Sequence, residues 1–205
     1  MRRLMLRIIV ITDTPSMRSE ADTVSMLLDE GVERVHLRKP GSDESDMRRL
    51  IESIDPRLYP RRTLQAHLPL AAEYGIGGVH LNARNKSVPD SFGGLVSRSC
   101  HTFDELSQCT GEDYMFLSPL FDSISKRGYR AAFTAESLRR AAAQGIISRR
   151  VVALGGIEPR HLPLLCDLGF GGAAFLGYIW QAPSQQLLRQ RIRKIVNYTE
   201  SCFNS

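Results

Sequence analysis

Eight short apolar runs recur along the chain, each followed by a stretch in which apolar residues return at every third or fourth position. The first run, Arg7-Ile8-Ile9-Val10-Ile11-Thr12-Asp13, is β-branched and lacks polar alternation, which suits a strand buried on both faces. Ala21, Val24, Leu27 and Leu28 then keep helical spacing as far as Gly31, a residue that ends helices readily. The same exchange repeats. Further strands are expected at Val32–Arg38, Thr63–Gln65, Gly78–Asn82, Leu95–Cys100, Asp113–Ser118, Arg150–Leu154 and Gly172–Leu176. Helices are expected around Met47, Leu50, Ile51 and Ile54, over Leu68–Tyr74, from Thr102 through Cys109, from Thr134 to Gly145, and over His161–Leu168. A last amphipathic helix carries Leu187, Leu188, Ile192, Ile195 and Val196 on one face. Asp43 to Asp46, and Thr102 with Asp104 and Glu105, supply oxygens that cap helix N-termini and charges that suit them. The Pro- and Arg-rich stretch before Thr63 shows no comparable pattern.

Strict alternation of strand and helix implies parallel strands joined by right-handed crossovers. Eight such units predict an α/β fold, a (β/α)8 TIM barrel, as a single domain over residues 1–205, although about 250 residues are usual for one. A doubly wound open sheet would call for a glycine-rich turn after the first strand, and Thr12-Asp13-Thr14-Pro15 is not one.

Composition narrows the partners. Apolar residues make up 42% and charged residues 24%, enough for a packed core. The net charge of +5 suits anionic ligands. Its arginine pairs (Arg2-Arg3, Arg48-Arg49, Arg61-Arg62, Arg139-Arg140, Arg149-Arg150) are dispersed, which argues against nucleic acid as a partner. Cys100, Cys109, Cys166 and Cys202 show no CxxC spacing and read as reduced thiols of a cytoplasmic protein. Met1-Arg2-Arg3-Leu4-Met5-Leu6 resembles the start of a leader, but Arg7 and Asp13 interrupt the apolar run behind it and no small-residue cleavage site appears. No apolar run reaches membrane-spanning length, so no membrane partner is expected; a homo-oligomer is compatible with the fold.

In a barrel of this kind the chemistry gathers at the C-terminal strand ends, with phosphate often held after the last two strands. Those ends carry four of the five histidines: His36, His67, His80 and His101. After the sixth strand, Ser123, Ser125 and Lys126 offer two hydroxyls and an ammonium to a small anion. Gly155-Gly156-Ile157 and Gly177-Tyr178-Ile179 let backbone N–H groups approach a phosphate, and the two turns are expected side by side. Gly156→Val is accordingly expected to crowd the ligand. Arg38 adds a fork-shaped donor on the opposite wall. There is no zinc spacing, no Gly-x-Ser-x-Gly elbow and no P-loop.

Several stretches together resemble the thiamine phosphate synthase/TenI family: Val35-His36-Leu37-Arg38-Lys39, Gly78-Val79-His80-Leu81, Ser99-Cys100-His101-Thr102, Asp113 through Lys126, Val152 through Ile157, and Gly169 to Ile179. They span nearly the whole chain in order. The resemblance implies a (β/α)8 barrel of thiamine biosynthesis. One branch joins hydroxymethylpyrimidine diphosphate to hydroxyethylthiazole phosphate with Mg2+ and releases pyrophosphate; the TenI branch aromatises a thiazole carboxylate phosphate by moving a proton. Against the synthase pattern, His36 replaces a glutamine and Pro40 a lysine, while Arg38 is kept. The two metal carboxylates would fall on Gln65-Ala66-His67 and on Asn85, so both are missing, and Mg2+ prefers carboxylate and phosphate oxygens. The thiazole-phosphate half keeps its hydroxyls, lysine and glycines.

That asymmetry leads to the expectation of a TenI-like thiazole tautomerase. His101 and Lys126 are its catalytic residues, and His36, Arg38, His80, Ser123, Ser125, Gly155, Gly156, Gly177 and Tyr178 bind the phosphorylated thiazole. It would need no metal or cofactor. A synthase whose Mg2+ is held by other carboxylates, such as Asp43 or Asp90, is the alternative, and a non-catalytic binder of thiamine precursors is a third reading.

Overall fold

The computed structural model describes residues 6–12, 20–122 and 131–203. Eight parallel strands close into a barrel in chain order, β1 pairing with both β2 and β8. They are β1 (Arg7–Ile11), β2 (Arg34–Leu37), β3 (Arg62–Leu64), β4 (Gly78–Leu81), β5 (Leu95–Cys100), β6 (Tyr114–Leu117), β7 (Val151–Ala153) and β8 (Gly172–Phe175). Between and after them run α1 (Glu20–Asp29), α2 (Glu44–Glu52), α3 (Pro69–Tyr74), α4 (Phe103–Gln108), α5 (Ala135–Ala143), α6 (Leu162–Asp167), α7 (Gly177–Trp180) and α8 (Gln185–Phe203). The unpatterned stretch forms a 3-10 turn at Pro56–Arg61, with Asp55 capping it by accepting from the Arg57 amide. Three short elements, that turn, a second 3-10 turn at Pro159–His161 and α7, are not expected from the sequence.

Local chemistry explains most boundaries. Thr102, Asp43 and Thr134 each accept a hydrogen bond from the third amide of the helix that each precedes, at 3.1, 2.7 and 3.1 Å. Such caps contribute about 1 kcal/mol apiece. Apart from β5, which ends at Cys100 as expected, the observed strands stop one or two residues short of the expected ends. Arg38, Asn82, Ser118, Leu154 and Leu176 have left the ladder there and stand around the mouth.

Register separates two cores. Val10, Val35, Leu37, Leu64, Val79, Leu117 and Phe175 point outward into the apolar layer beneath the helices. Inside the barrel, Ile9, Ile11, Tyr114, Phe116, Val152 and Ala174 pack as a second, smaller cluster. The rest of the interior is polar. Pairings of Ile9 with Arg34, Ile11 and Thr63 with His36, and His80 with Ser97 carry buried hydrogen-bonding groups across β2 to β5. One half of the barrel wall is thus oily and the other polar, all of it beneath the C-terminal mouth.

Candidate active site

At that mouth the loops of β6, β7 and β8 build a cavity of ≈ 270 Å³. Gly155, Gly156, Gly177 and Tyr178 line it together, with Arg38, Gln65, His80, Ser99, His101 and Ser118 on the other side. Leu154 and Gly155 carbonyls accept from the amides of Leu120 and Phe121 at 2.9 and 3.0 Å, so the turn after β7 is laced to the loop after β6. Gly155 and Gly156 have φ of +96° and +63°, a left-handed backbone that suits glycine. A Cβ on Gly155 would sit 2.8 Å from the Pro119 Cα. The glycines are therefore required by the neighbouring loop as well as available to a ligand. Gly177 and Tyr178 open α7 rather than forming a free turn, and the Tyr178 carbonyl accepts from Arg191.

A second cavity of ≈ 830 Å³ continues across the loops of β2 to β5 and shares Arg38, Gln65, Ser99 and His101 with the first. Cations line it: Arg38, Lys39, Arg84, Lys86 and Arg98. Lys39 is buried in an ion pair with Glu20, and Arg98 pairs with Glu112. The Thr12 hydroxyl accepts from the Arg38 amide at 2.9 Å, which holds the Arg38 backbone at the junction of the two cavities.

His101 also stands at this junction. Its Nδ1 lies 2.9 Å from the Ser118 carbonyl, which can only accept, so Nδ1 carries a proton. In the neutral ring Nε2 is then the free base. Glu105 accepts from the His101 amide and fixes the start of α4.

Two expectations on histidine change. His36 is fully buried, with Nε2 2.7 Å from the Tyr114 hydroxyl and Nδ1 3.1 Å from the Gln65 amide nitrogen, and it lines neither cavity. Its strand position points it into the barrel below the mouth, so phosphate binding by His36 is not supported. His80 touches the smaller cavity, but both its nitrogens are engaged, 2.8 Å from Ser97 Oγ and 2.8 Å from Ser99 Oγ. Burial pushes the His36 pKa well below the usual histidine range, aided by His80 and Arg34, and brings His80 to about 3, aided by Arg98. Both rings are neutral near pH 7 and are poor anion ligands. His67 lies outside both cavities; its Nε2 is 3.0 Å from the Ser42 carbonyl and ties the loop after β3 to that after β2. Ser123, Ser125 and Lys126 lie outside the described residues.

Sequence reasoning missed Arg84 and Lys86. Asn85 stands out in the sequence for the carboxylate it lacks, while the signal for this cavity is the cation on each side of it.

A parallel barrel with a glycine turn after its seventh strand, a glycine-led helix start after its eighth and cations around its mouth defines a site for phosphorylated small molecules. Residues 8–179 match the thiamine monophosphate synthase family, and the chain belongs to it. It is 24% identical over 204 residues to a thiamine-phosphate synthase of Bacteroides fragilis, covering 93% of this chain and all of the relative. A thiamine-phosphate synthase of Chlamydia caviae is 26% identical over 215 residues, covering 96% of this chain and 97% of the relative. Among solved structures, thiamine phosphate pyrophosphorylase from Bacteroides thetaiotaomicron superposes with a TM-score of 0.84 at 32% identity, covering 96% of this chain and 98% of that one. The Pyrococcus furiosus thiamine phosphate pyrophosphorylase shares the fold at a TM-score of 0.76 and 19% identity, with 98% of each chain covered. No helix among the described residues is long and apolar enough to cross a membrane.

The Mg2+ implied by the family finds no matching donor set. Gln65 and Ala66 stand at the first expected position, and Asn85, at the second, donates to the Gln65 carbonyl at 2.9 Å. The only carboxylates on the larger cavity among the described residues are Glu105 and Glu112, both engaged as above. Asp43 instead caps α2, and neither it nor Asp90 lines either of these two cavities. Among the described residues no group of three or more His, Cys, Asp or Glu could hold a metal ion. Residues 13–19 and 123–130, outside the described residues, contain one carboxylate, Asp13. The residues present do not fit Mg2+.

Proposed function

We propose that the protein is a thiamine phosphate synthase, joining a hydroxymethylpyrimidine diphosphate to hydroxyethylthiazole phosphate with release of pyrophosphate. The observation that carries this reading is the pair of connected cavities. The smaller, glycine-lined one suits the thiazole phosphate, whose oxygens would meet backbone amides. The larger, cation-lined one has room and charge for a second, more anionic substrate. Chemistry on thiazole phosphate alone would use only the first. The relatives' names point the same way and weigh against the tautomerase expectation. In this reading Arg38 and His101, common to both cavities, sit where the two substrates meet.

A tautomerase remains the second reading, favoured by the His101 geometry. With Nδ1–H held by the Ser118 carbonyl, Nε2 can take and return a proton, work that contributes typically about 10²–10⁴-fold. The test supplies the protein with both synthase substrates, with and without Mg2+, and monitors thiamine phosphate and pyrophosphate together. Stoichiometric appearance of both is expected. If neither forms while the thiazole carboxylate phosphate is isomerised alone, the synthase reading fails, and His101→Asn should then abolish that isomerisation.

A further inference from the structure

Resting on the two-substrate reading, we propose that the larger cavity binds a diphosphate-class anion without a divalent metal, with Arg38, Arg84 and Lys86 supplying the positive charge. Of its five lining cations, Lys39 and Arg98 are already neutralised by Glu20 and Glu112. Arg38, Arg84 and Lys86 have no side-chain ion pair among the described residues. Three cations without an ion pair among the described residues, on one concave surface, constitute an anion site, since like charges held close together favour an opposite charge between them and a cavity with low-dielectric walls concentrates their field.

The cations stand on a fixed turn. Asn82 Oδ1 accepts from the amides of Arg84 and Asn85 at 2.9 and 3.1 Å, and the Asn82 amide donates to the Asn85 carbonyl at 2.9 Å. Side-chain amides of Asn82 and Asn85 both donate to the Gln65 carbonyl, at 3.2 and 2.9 Å, clamping this turn to the end of β3. Arg84 and Lys86 thus leave a braced loop on either side of Asn85, where the family pattern implies a metal carboxylate. An aspartate there, with another at Ala66, would compete for these cations; Asn85 and Ala66 leave them free. The guanidinium fork of Arg84 or Arg38 can engage two phosphate oxygens at once, and Lys86 adds a compact charge. Neutral Ala66 and Asn85 beside these cations together replace acid plus metal.

Inorganic pyrophosphate, titrated calorimetrically with EDTA and again with Mg2+, is the direct probe. Binding in EDTA is expected, with at most a small change on adding Mg2+. The double variant Arg84→Ala/Lys86→Ala should weaken it at least tenfold with an unchanged Tm, because both side chains are exposed. Binding that requires Mg2+, or that is unaffected in the double variant, overturns the proposal. Thiamine phosphate formation on the same samples separates the two readings. Metal-free pyrophosphate binding without product keeps the cation site and removes the synthase; product and pyrophosphate binding seen only with Mg2+ keep the synthase and remove the cation site.

Discussion

Gly156→Val should lower the unfolding free energy by about 4 kcal/mol or more, an effect on the fold before any on ligand binding. At φ +63° a β-branched residue is strained wherever it is placed, at a cost of about 1–3 kcal/mol. Here there is also no room. A Cβ on Gly156 would lie 2.8 Å from the Phe121 carbonyl carbon and closer still to the Asp122 carbonyl oxygen, both backbone atoms that cannot swing aside. The loop they belong to is anchored at both ends, Phe121 donating to Gly155 and Asp122 accepting from the Ala131 amide at 2.7 Å. Gly145 gives the control, with φ +73° and nothing within 4 Å of an added Cβ. Gly145→Ala should therefore cost only about 1 kcal/mol, from conformation alone. Urea unfolding of Gly156→Ala and Gly145→Ala isolates the contact contribution. Equal losses in the two would mean that the turn after β7 has more freedom than its packing indicates, and would restore Gly156→Val as a clean probe of phosphate crowding.

That contrast marks what the sequence could disclose. The barrel was legible because its signals are local and repeated. Unbroken β-branched runs such as Ile8–Ile11 declare doubly buried strands, and Thr102 or Asp43 ahead of a helical period declares a helix start. The Gly155-Gly156 pair announced a special turn, but not that Pro119 to Asp122 would press against it, since that contact joins two separate loops. His36 lies deeper, and His80 is more committed to its neighbours, than their strand-end positions suggest, for a related reason. A strand end looks the same in sequence whether its last residue reaches the mouth or stops one layer below it. Only register, with His36 opposite Thr63 and His80 opposite Ser97, shows them inside the wall. The cation site was hidden by the opposite fault: a motif comparison draws the eye to the carboxylate missing at Asn85, whereas Arg84 and Lys86 gain meaning only once Glu20 and Glu112 are seen to occupy Lys39 and Arg98.

Those buried histidines make the fold acid-sensitive in a window where few other groups act. Below pH 6.5 an unfolded chain protonates both rings, whereas the folded barrel resists until about pH 3 at His80 and well below the ordinary value at His36. The unfolded state therefore binds more protons, and stability must fall as pH falls from 6.5 toward the folded values. The His80 ring contributes up to about 1.4 kcal/mol per pH unit, so roughly 1–2 kcal/mol should be lost through it between pH 6.5 and pH 5, and His36 adds to the loss in the same direction. Carboxylates whose pKa is lowered, such as Asp43, Asp55 and Glu73, act in the same direction but only below their own unfolded values near 4. Glu20 and Glu33, raised chiefly by burial, act with the opposite sign and reduce the loss. The rings face each other at 5.3 Å between centroids, with Arg34 and Arg98 near by, so charging one opposes charging the other. His80→Gln keeps polar atoms between Ser97 and Ser99 but has no proton to gain. Chemical denaturation at pH 7.5, 6.5, 5.5 and 5 should show the slope of the native protein clearly reduced in that variant. A native protein equally stable at pH 6.5 and 5, or a variant that keeps the full slope, would show that the barrel interior hydrates or rearranges enough to accept the proton.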